Sequence, residues 1–334
     1  MNFLLIIPIL LGFLISFFCI PFWIKKTKEF GLTGRDMQKR TEEKVSEAGG
    51  VCVIIGFMLG VLTYIAMKTF YFNRNPDDKV FEIMVIMSVI LIVAFVGFTD
   101  DILGWKKGLP KIVRIGLFVI ASLPLVVISA GNLTLNGVNF GLAYPFLLIP
   151  IGIVGASATF NFLAGYNGLE SSQGIIILSA LSLVTFFRQT TWISMIGIIM
   201  AACLFAFYLF NKYPGKIFPG DILTYSTGAL IASLAIFGDI EAIAVFFFIP
   251  YILETILKVR GRLKKESFAK VNEDGSLEMP YDKFYGLEHI SIYLLKKIKP
   301  SHKAYEKEVV YLINFFQILV IAAGFLIFRN QIFL

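Results

Sequence analysis

The chain has 334 residues, of which 57% are hydrophobic and only 16% charged, with a net charge of +7 and a mean hydropathy of +0.79. A water-soluble domain carries about 25% charged residues, and a disordered chain shows the opposite bias, so both are excluded. The composition is that of an integral membrane protein, all-α and polytopic.

A membrane-crossing helix needs about 20 apolar residues, and cutting the sequence at its charges predicts ten. They run near 2–24, 49–68, 82–99, 112–130, 142–160, 173–187, 190–210, 222–238, 241–257 and 309–328. The first lacks a basic start and a small-residue cleavage site, which separates it from a signal peptide. Residues 115–169 form one uncharged stretch too long for a single crossing. The turn signal Asn132-Leu-Thr-Leu-Asn-Gly137 divides it. Alternating strands of a closed barrel, the other spanning solution, are absent. The whole chain, 1–334, reads as one membrane domain, with a long basic loop at 258–307 between the ninth and tenth spans.

Ten spans place the loops after the first, third, fifth, seventh and ninth on one face. The segments 25–48, 100–114, 212–216 and 258–307 hold 25 of the 30 Lys and Arg residues. That face is therefore expected to be cytoplasmic. The basic excess is explained by orientation and by anionic lipid headgroups, with no nucleic-acid partner required. Cys19, Cys52 and Cys203 all fall inside spans and read as small apolar fillers, without metal spacing. Two histidines, His289 and His302, are too few for a His-built zinc site.

The polar motifs gather on the basic face. Gly97-Phe-Thr-Asp-Asp-Ile-Leu-Gly104 ends the third span and puts Asp100 beside Asp101. Adjacent carboxylates at a membrane boundary repel each other, and such residues point to function, although a solvated loop cap accounts for them equally. Asn161-Phe-Leu-Ala-Gly-Tyr-Asn-Gly-Leu-Glu170 follows the fifth span. Its asparagines offer amide groups, and its glycines permit close backbone approach. Asn211-Lys-Tyr-Pro-Gly-Lys-Ile-Phe-Pro-Gly-Asp221 precedes the eighth span, where Asp221 fits either a helix cap or a ligand for a metal-bound diphosphate. Gly31-Leu-Thr-Gly-Arg-Asp-Met-Gln-Lys39 and Glu47-Ala-Gly-Gly50 follow the first span. No P-loop and no GxGxxG after a strand is present. Acidic, amide and basic groups on one face suit an anionic, Mg²⁺-bound cytosolic substrate, because Mg²⁺ takes oxygen ligands and keeps substrate phosphates in its shell.

These motifs, with Gly275-Ser-Leu-Glu-Met-Pro-Tyr-Asp-Lys-Phe284, resemble the polyprenyl-phosphate N-acetylhexosamine-1-phosphate transferase superfamily from end to end. The similarity is strongest to its eukaryotic and archaeal-type UDP-GlcNAc–dolichyl-phosphate branch. The resemblance implies ten helices and transfer of GlcNAc-1-phosphate from UDP-GlcNAc to a dolichyl or other polyprenyl phosphate, with UMP released. It also implies a Mg²⁺ cofactor, with Mn²⁺ as the alternative, and a homodimer as the common family state. Carried over by position, Asn161 and Asp221 correspond to metal ligands and Asp100 and Asp101 to the catalytic pair. Asn167 corresponds to the uracil reader, Gly165 and Phe218 to the walls around the base, and Arg35, Asp36, Met37 and Glu47 to the uridine-side loop. The family's phosphate-contacting lysine matches either Lys111 or Arg114. The sugar-contacting basic segment is replaced by Lys264-Lys-Glu-Ser-Phe-Ala-Lys270, leaving Lys264, Lys265 and Lys270 as its cations, and Trp105 lies where the N-acetyl pocket is expected.

The competing readings are transfer of another HexNAc-1-phosphate and, from a different class, a nucleotide-sugar or organic-anion transporter. A transporter would place its polar groups at the bilayer midplane. The many Lys and Ile residues and the compact loops lead us to expect an archaeal cell membrane rather than the endoplasmic reticulum.

Overall fold

The computed structural model describes residues 3–40, 44–71, 79–104, 108–135 and 137–333. Among the described residues the chain is helical, with three short antiparallel hairpins as its sheet. The helices are α1 (Ile6–Phe30), α2 (Gly50–Phe70), α3 (Val80–Leu103), α4 (Lys111–Val127), α5 (Ile149–Phe160), α6 (Leu169–Phe187), α7 (Thr191–Asn211), α8 (Gly220–Gly238), α9 (Glu241–Phe247), α10 (Ile249–Arg260), α11 (Leu287–Ile298), α12 (Glu306–Ile327) and α13 (Arg329–Ile332).

Seven of the helices are long and apolar enough to cross a membrane, or eight if the bent pair α9 and α10 is one span. The other two expected spans are helical but short. α4 has 17 residues, and α5 is preceded by a wide π-turn at Tyr144–Leu148. The count of ten is therefore approximate.

Three expected boundaries shift, each for a local reason. The sixth span begins at Leu169 rather than 173, directly after Gly168 at φ 85°. Its acidic residue Glu170 is buried inside the protein, so a cut at charges starts the span too late. The ninth span is broken by a 60° bend. Pro250, which lacks an N–H for an α9 carbonyl, sits in the first turn of α10. Finally, the 258–307 loop contains ordered structure, namely the last turn of α10, the hairpin Lys270–Val271 with Leu277–Glu278, and α11. The turn signal at 132–137 does separate the fourth and fifth spans, as the hairpin Thr134–Leu135 with Val138–Asn139.

Helix packing follows the small residues, as expected where lipid removes the hydrophobic drive between helices. A Cβ on Gly56 would lie 2.1 Å from the Ser16 hydroxyl and 2.6 Å from the Gly12 carbonyl, which locks α2 onto α1. Gly228 brings α8 against the Ala156 carbonyl of α5, and Gly97 brings α3 against the backbone of Asp221 and Ile222. Helix α8 is thereby central, with 83% of its spanning window buried against 22% for the first span. Large apolar side chains such as Phe18, Phe95 and Leu326 face outward, where the bilayer covers them.

Candidate active site at the shared end of five helices

The C-terminal ends of α3, α5 and α10 meet the N-terminal ends of α4 and α8 around a cavity of about 760 Å³. The adjacent carboxylates Asp100 and Asp101 have separate roles. Asp101 accepts from the backbone N–H groups of Asp221 at 2.7 Å and Ile222 at 3.3 Å, and so caps the start of α8 from a neighbouring helix. Gly220, at φ 72°, makes the approach feasible, since a Cβ there would lie 2.3 Å from the Asp101 carboxylate. Asp100 is buried. It accepts from the Leu109 N–H at 2.6 Å and faces Arg114 Nη1 at 3.0 Å.

Tyr225, one helical turn after Asp221, joins these groups. Its hydroxyl lies 2.9 Å from Asp221 Oδ2 and 3.1 Å from Asp100 Oδ2, and accepts from Arg114 Nη1 at 2.6 Å. Asn161, the residue after α5, donates its side-chain amide to Asp221 Oδ1 at 3.0 Å, and its carbonyl oxygen accepts from Thr224 at 3.2 Å. Asn161 and Asp221, 60 positions apart in the chain, are thus in direct contact.

The chemistry of this donor set fits a hard divalent cation. A phenol has one proton, so it cannot donate to both carboxylates beside it. Two carboxylates, Asp100 and Asp221, face one guanidinium at 3.0 and 4.0 Å, and every nearby acceptor is oxygen, as Mg²⁺ prefers. Among the described residues no group of three His, Cys, Asp or Glu side chains could hold an ion by itself. Such an ion would therefore complete its shell with substrate oxygens and water.

The cavity wall contains several other expected residues. Glu47, Lys111, Gly165, Phe218 and Lys265 all line it. Glu47 and Phe218 come together because residues 46–50 run alongside 217–219. Phe218 N–H donates to Ser46 at 2.7 Å, and Gly49 N–H donates to Phe218 at 2.9 Å. Burial raises the Glu47 carboxyl above its ordinary pKa.

Other expected residues lie elsewhere. Asn167 is buried behind the wall, donating its side-chain amide to Asp36 at 2.9 Å and its backbone N–H to Glu306 at 2.7 Å. Asp36 is also buried and pairs with Lys39 at 3.2 Å. Arg35 is exposed on the hairpin Thr33–Arg35 with Lys44–Ser46, and Met37 is half-buried just beyond it. Lys264 and Lys270 are exposed and do not line the cavity. Trp105 lies outside the described residues.

The sequence reading missed Tyr225, Thr224 and Phe268. The first two follow Asp221 at +4 and +3 and so share its helix face, a signal the sequence does contain. Phe268 lies on Gly165. A Cβ on that glycine, at φ 99°, would be 2.8 Å from the Phe268 ring. Nothing in the basic segment 264–270 singles that aromatic out.

With this geometry in hand, comparisons with known proteins place the chain. A family model described as glycosyl transferase family 4 matches residues 83–239, the stretch that carries both Asp100 and Asp221. Two archaeal relatives provisionally named UDP-N-acetylglucosamine–dolichyl-phosphate N-acetylglucosaminephosphotransferase are similar along most of their length. The Saccharolobus solfataricus protein is 34% identical over 86% of this chain and 87% of its own. The Sulfolobus acidocaldarius protein is 31% identical over 89% and 90%. A Streptococcus pyogenes phospho-N-acetylmuramoyl-pentapeptide-transferase is 25% identical over 76% and 78%. With its helices, its cavity and these relatives agreeing, the chain belongs to glycosyl transferase family 4.

Proposed function

We propose that this membrane enzyme transfers GlcNAc-1-phosphate from UDP-GlcNAc to a polyprenyl phosphate of the dolichyl type, releasing UMP and starting a lipid-linked oligosaccharide. One observation carries the reading. Asp100, Asp101, Asn161 and Asp221 meet at the shared end of five helices, in a cavity that also has an apolar wall of Ile115, Phe118, Ala158 and Phe162. A site of that kind accommodates a charged nucleotide and the head of a lipid together.

In the reaction, an oxygen of the lipid phosphate attacks the sugar-bearing β-phosphorus in line. A new P–O bond forms, the bond to the bridging oxygen breaks, and UMP departs with that oxygen. A lipid phosphate is already largely ionised near neutral pH, so neither aspartate is needed as a base. Asp221 and Asn161 would hold a Mg²⁺ ion, which supplies positive charge to the diphosphate oxygens. Arg114, fixed by Asp100 and Tyr225, adds positive charge beside the same oxygens. Asp101 keeps the start of α8, and with it Asp221, in register. The cavity faces the cytoplasm by the distribution of basic residues, and an archaeal cell membrane is our reading of the setting.

A panel of UDP-sugars, presented with Mg²⁺ and polyprenyl phosphate to the purified protein, tests the assignment by UMP production. UDP-GlcNAc should be the best donor. A preference for another UDP-HexNAc would move the substrate within the class, and the absence of UMP with every donor would remove the proposal.

A further inference from the structure

Four cationic side chains line the cavity among the described residues: Lys111, Arg114, Lys258 and Lys265. Three already have evident roles. Arg114 is held by Asp100 and Tyr225. Lys111 is exposed and reaches the Leu263 carbonyl at 3.4 Å. Lys265 stacks over the Tyr281 ring, 4.5 Å from its centroid. Lys258, near the end of α10, is the buried one, at 9% exposure.

Its surroundings are unusual for a lysine that only fills space. The ammonium is hydrogen-bonded to the Ser267 hydroxyl and lies 3.5 Å from Glu254 Oε1, one turn earlier on the same helix. Glu288 of α11 is close behind. A Cβ on Gly286 would lie 2.3 Å from Glu288 Oε2 and 3.0 Å from Glu254 Oε1, so the two carboxylates face one spot. Both are fully buried, and neither oxygen of Glu288 has a hydrogen-bond partner. Two buried acidic side chains thus lie behind a lysine that borders the cavity. The Ser267 hydroxyl takes one of its three N–H donors, and Glu254 is an ion-pair partner.

We propose that Lys258 is a substrate-contacting residue, whose ammonium binds a non-bridging phosphate oxygen in the cavity. The inference rests on the phosphotransferase reading and adds a residue to it. The shared chemistry is a phosphate oxyanion, which comes from either the donor diphosphate or the lipid phosphomonoester. The purely structural alternative is that Lys258 bolts α10 to α11 through Glu254, whose other oxygen accepts from the Leu287 N–H at 2.6 Å.

The experiment uses the full-length protein purified in detergent, with UDP-GlcNAc and polyprenyl phosphate varied separately. Release of UMP by the wild type checks the underlying reading on its own. In Lys258→Met, the KM for one phosphorylated substrate should rise roughly 10- to 100-fold, the loss of a charge-assisted hydrogen bond. A rise in the UDP-GlcNAc KM assigns the contact to the donor, and a rise in the polyprenyl phosphate KM assigns it to the acceptor. Binding of uridine, which has no phosphate, should be unchanged, showing that the variant is folded. Lys258→Arg, which keeps the charge, should bring the affected KM back to within about threefold of wild type. A Lys258→Met enzyme with a lower melting temperature but both KM values and kcat unchanged would overturn the proposal and leave the bolt.

Discussion

The two ends of α8 both carry polar side chains, yet they are built on different charge arithmetic. At the C-terminal end, Asp239 ends the helix at φ 50° and faces Arg188 at 4.0 Å, while the Tyr144 hydroxyl donates to Glu241. Each acceptor there has a donor of its own. At the N-terminal end, Asp100 and Asp221 share one guanidinium and one phenol, Asp101 is held by backbone N–H groups beside them, and a large cavity opens there. A cluster whose charges are matched internally fastens helices. One that is left acidic and open is organised for something that arrives. The same helix therefore carries a structural junction at one end and a reaction site at the other.

The comparison can be sharpened by substitutions at each end. The largest effect is expected for Asp221→Asn, which keeps the shape and removes the charge. Turnover should fall roughly a hundred- to a thousandfold, read as UMP release at saturating substrates, and near-normal turnover would contradict the role of the open end. Tyr225→Phe removes the hydroxyl shared by Arg114, Asp100 and Asp221. Its kcat should drop about tenfold with the fold intact by circular dichroism. Gly220→Ala places a methyl against the Asp101 cap in a left-handed backbone. Loss of that cap costs about 1 kcal/mol or more, visible as a lower melting temperature in detergent together with reduced activity.

Tyr144→Phe, at the closed end, should cost about 1 kcal/mol of stability and leave turnover unchanged. A large loss of activity there would erase the distinction between the two ends. A last test concerns pH. Burial, and then the nearby Lys258 charge, lower the pKa of His289 to about 4, so the folded protein keeps it neutral while the unfolded chain protonates it near 6.5. Stability should therefore fall as pH drops from about 6.5 towards 4. His289→Gln should flatten that part of the melting-temperature profile.

Much of this was legible in the sequence. Cuts at charges located the helices because a lipid-facing stretch excludes charge. They failed at Glu170 and Pro250, since a carboxylate buried within protein is invisible to a hydropathy rule and a broken helix is as apolar as a straight one. The motifs led to Asp100, Asp101, Asn161 and Asp221, which do converge. They did not show that Asp101 faces the α8 backbone, nor that Asn167 is turned towards Asp36 behind the wall. Those details depend on which side of a helix or loop a side chain leaves, and Gly220 and Gly215 decide them through space rather than sequence distance. Lys258 stood unremarked at the edge of a basic loop because its two acidic neighbours come from different helices.

The central claim is phosphoryl transfer to a lipid in this cavity, and it is tested most directly with UDP-GlcNAc labelled at its β-phosphorus. The label is expected to move into the polyprenyl product, with the released UMP unlabelled and equal in amount, and both rates should fall roughly a hundred- to a thousandfold in Asp221→Asn. Label retained in released UDP, or appearing in lipid at the same rate without Asp221, would contradict it.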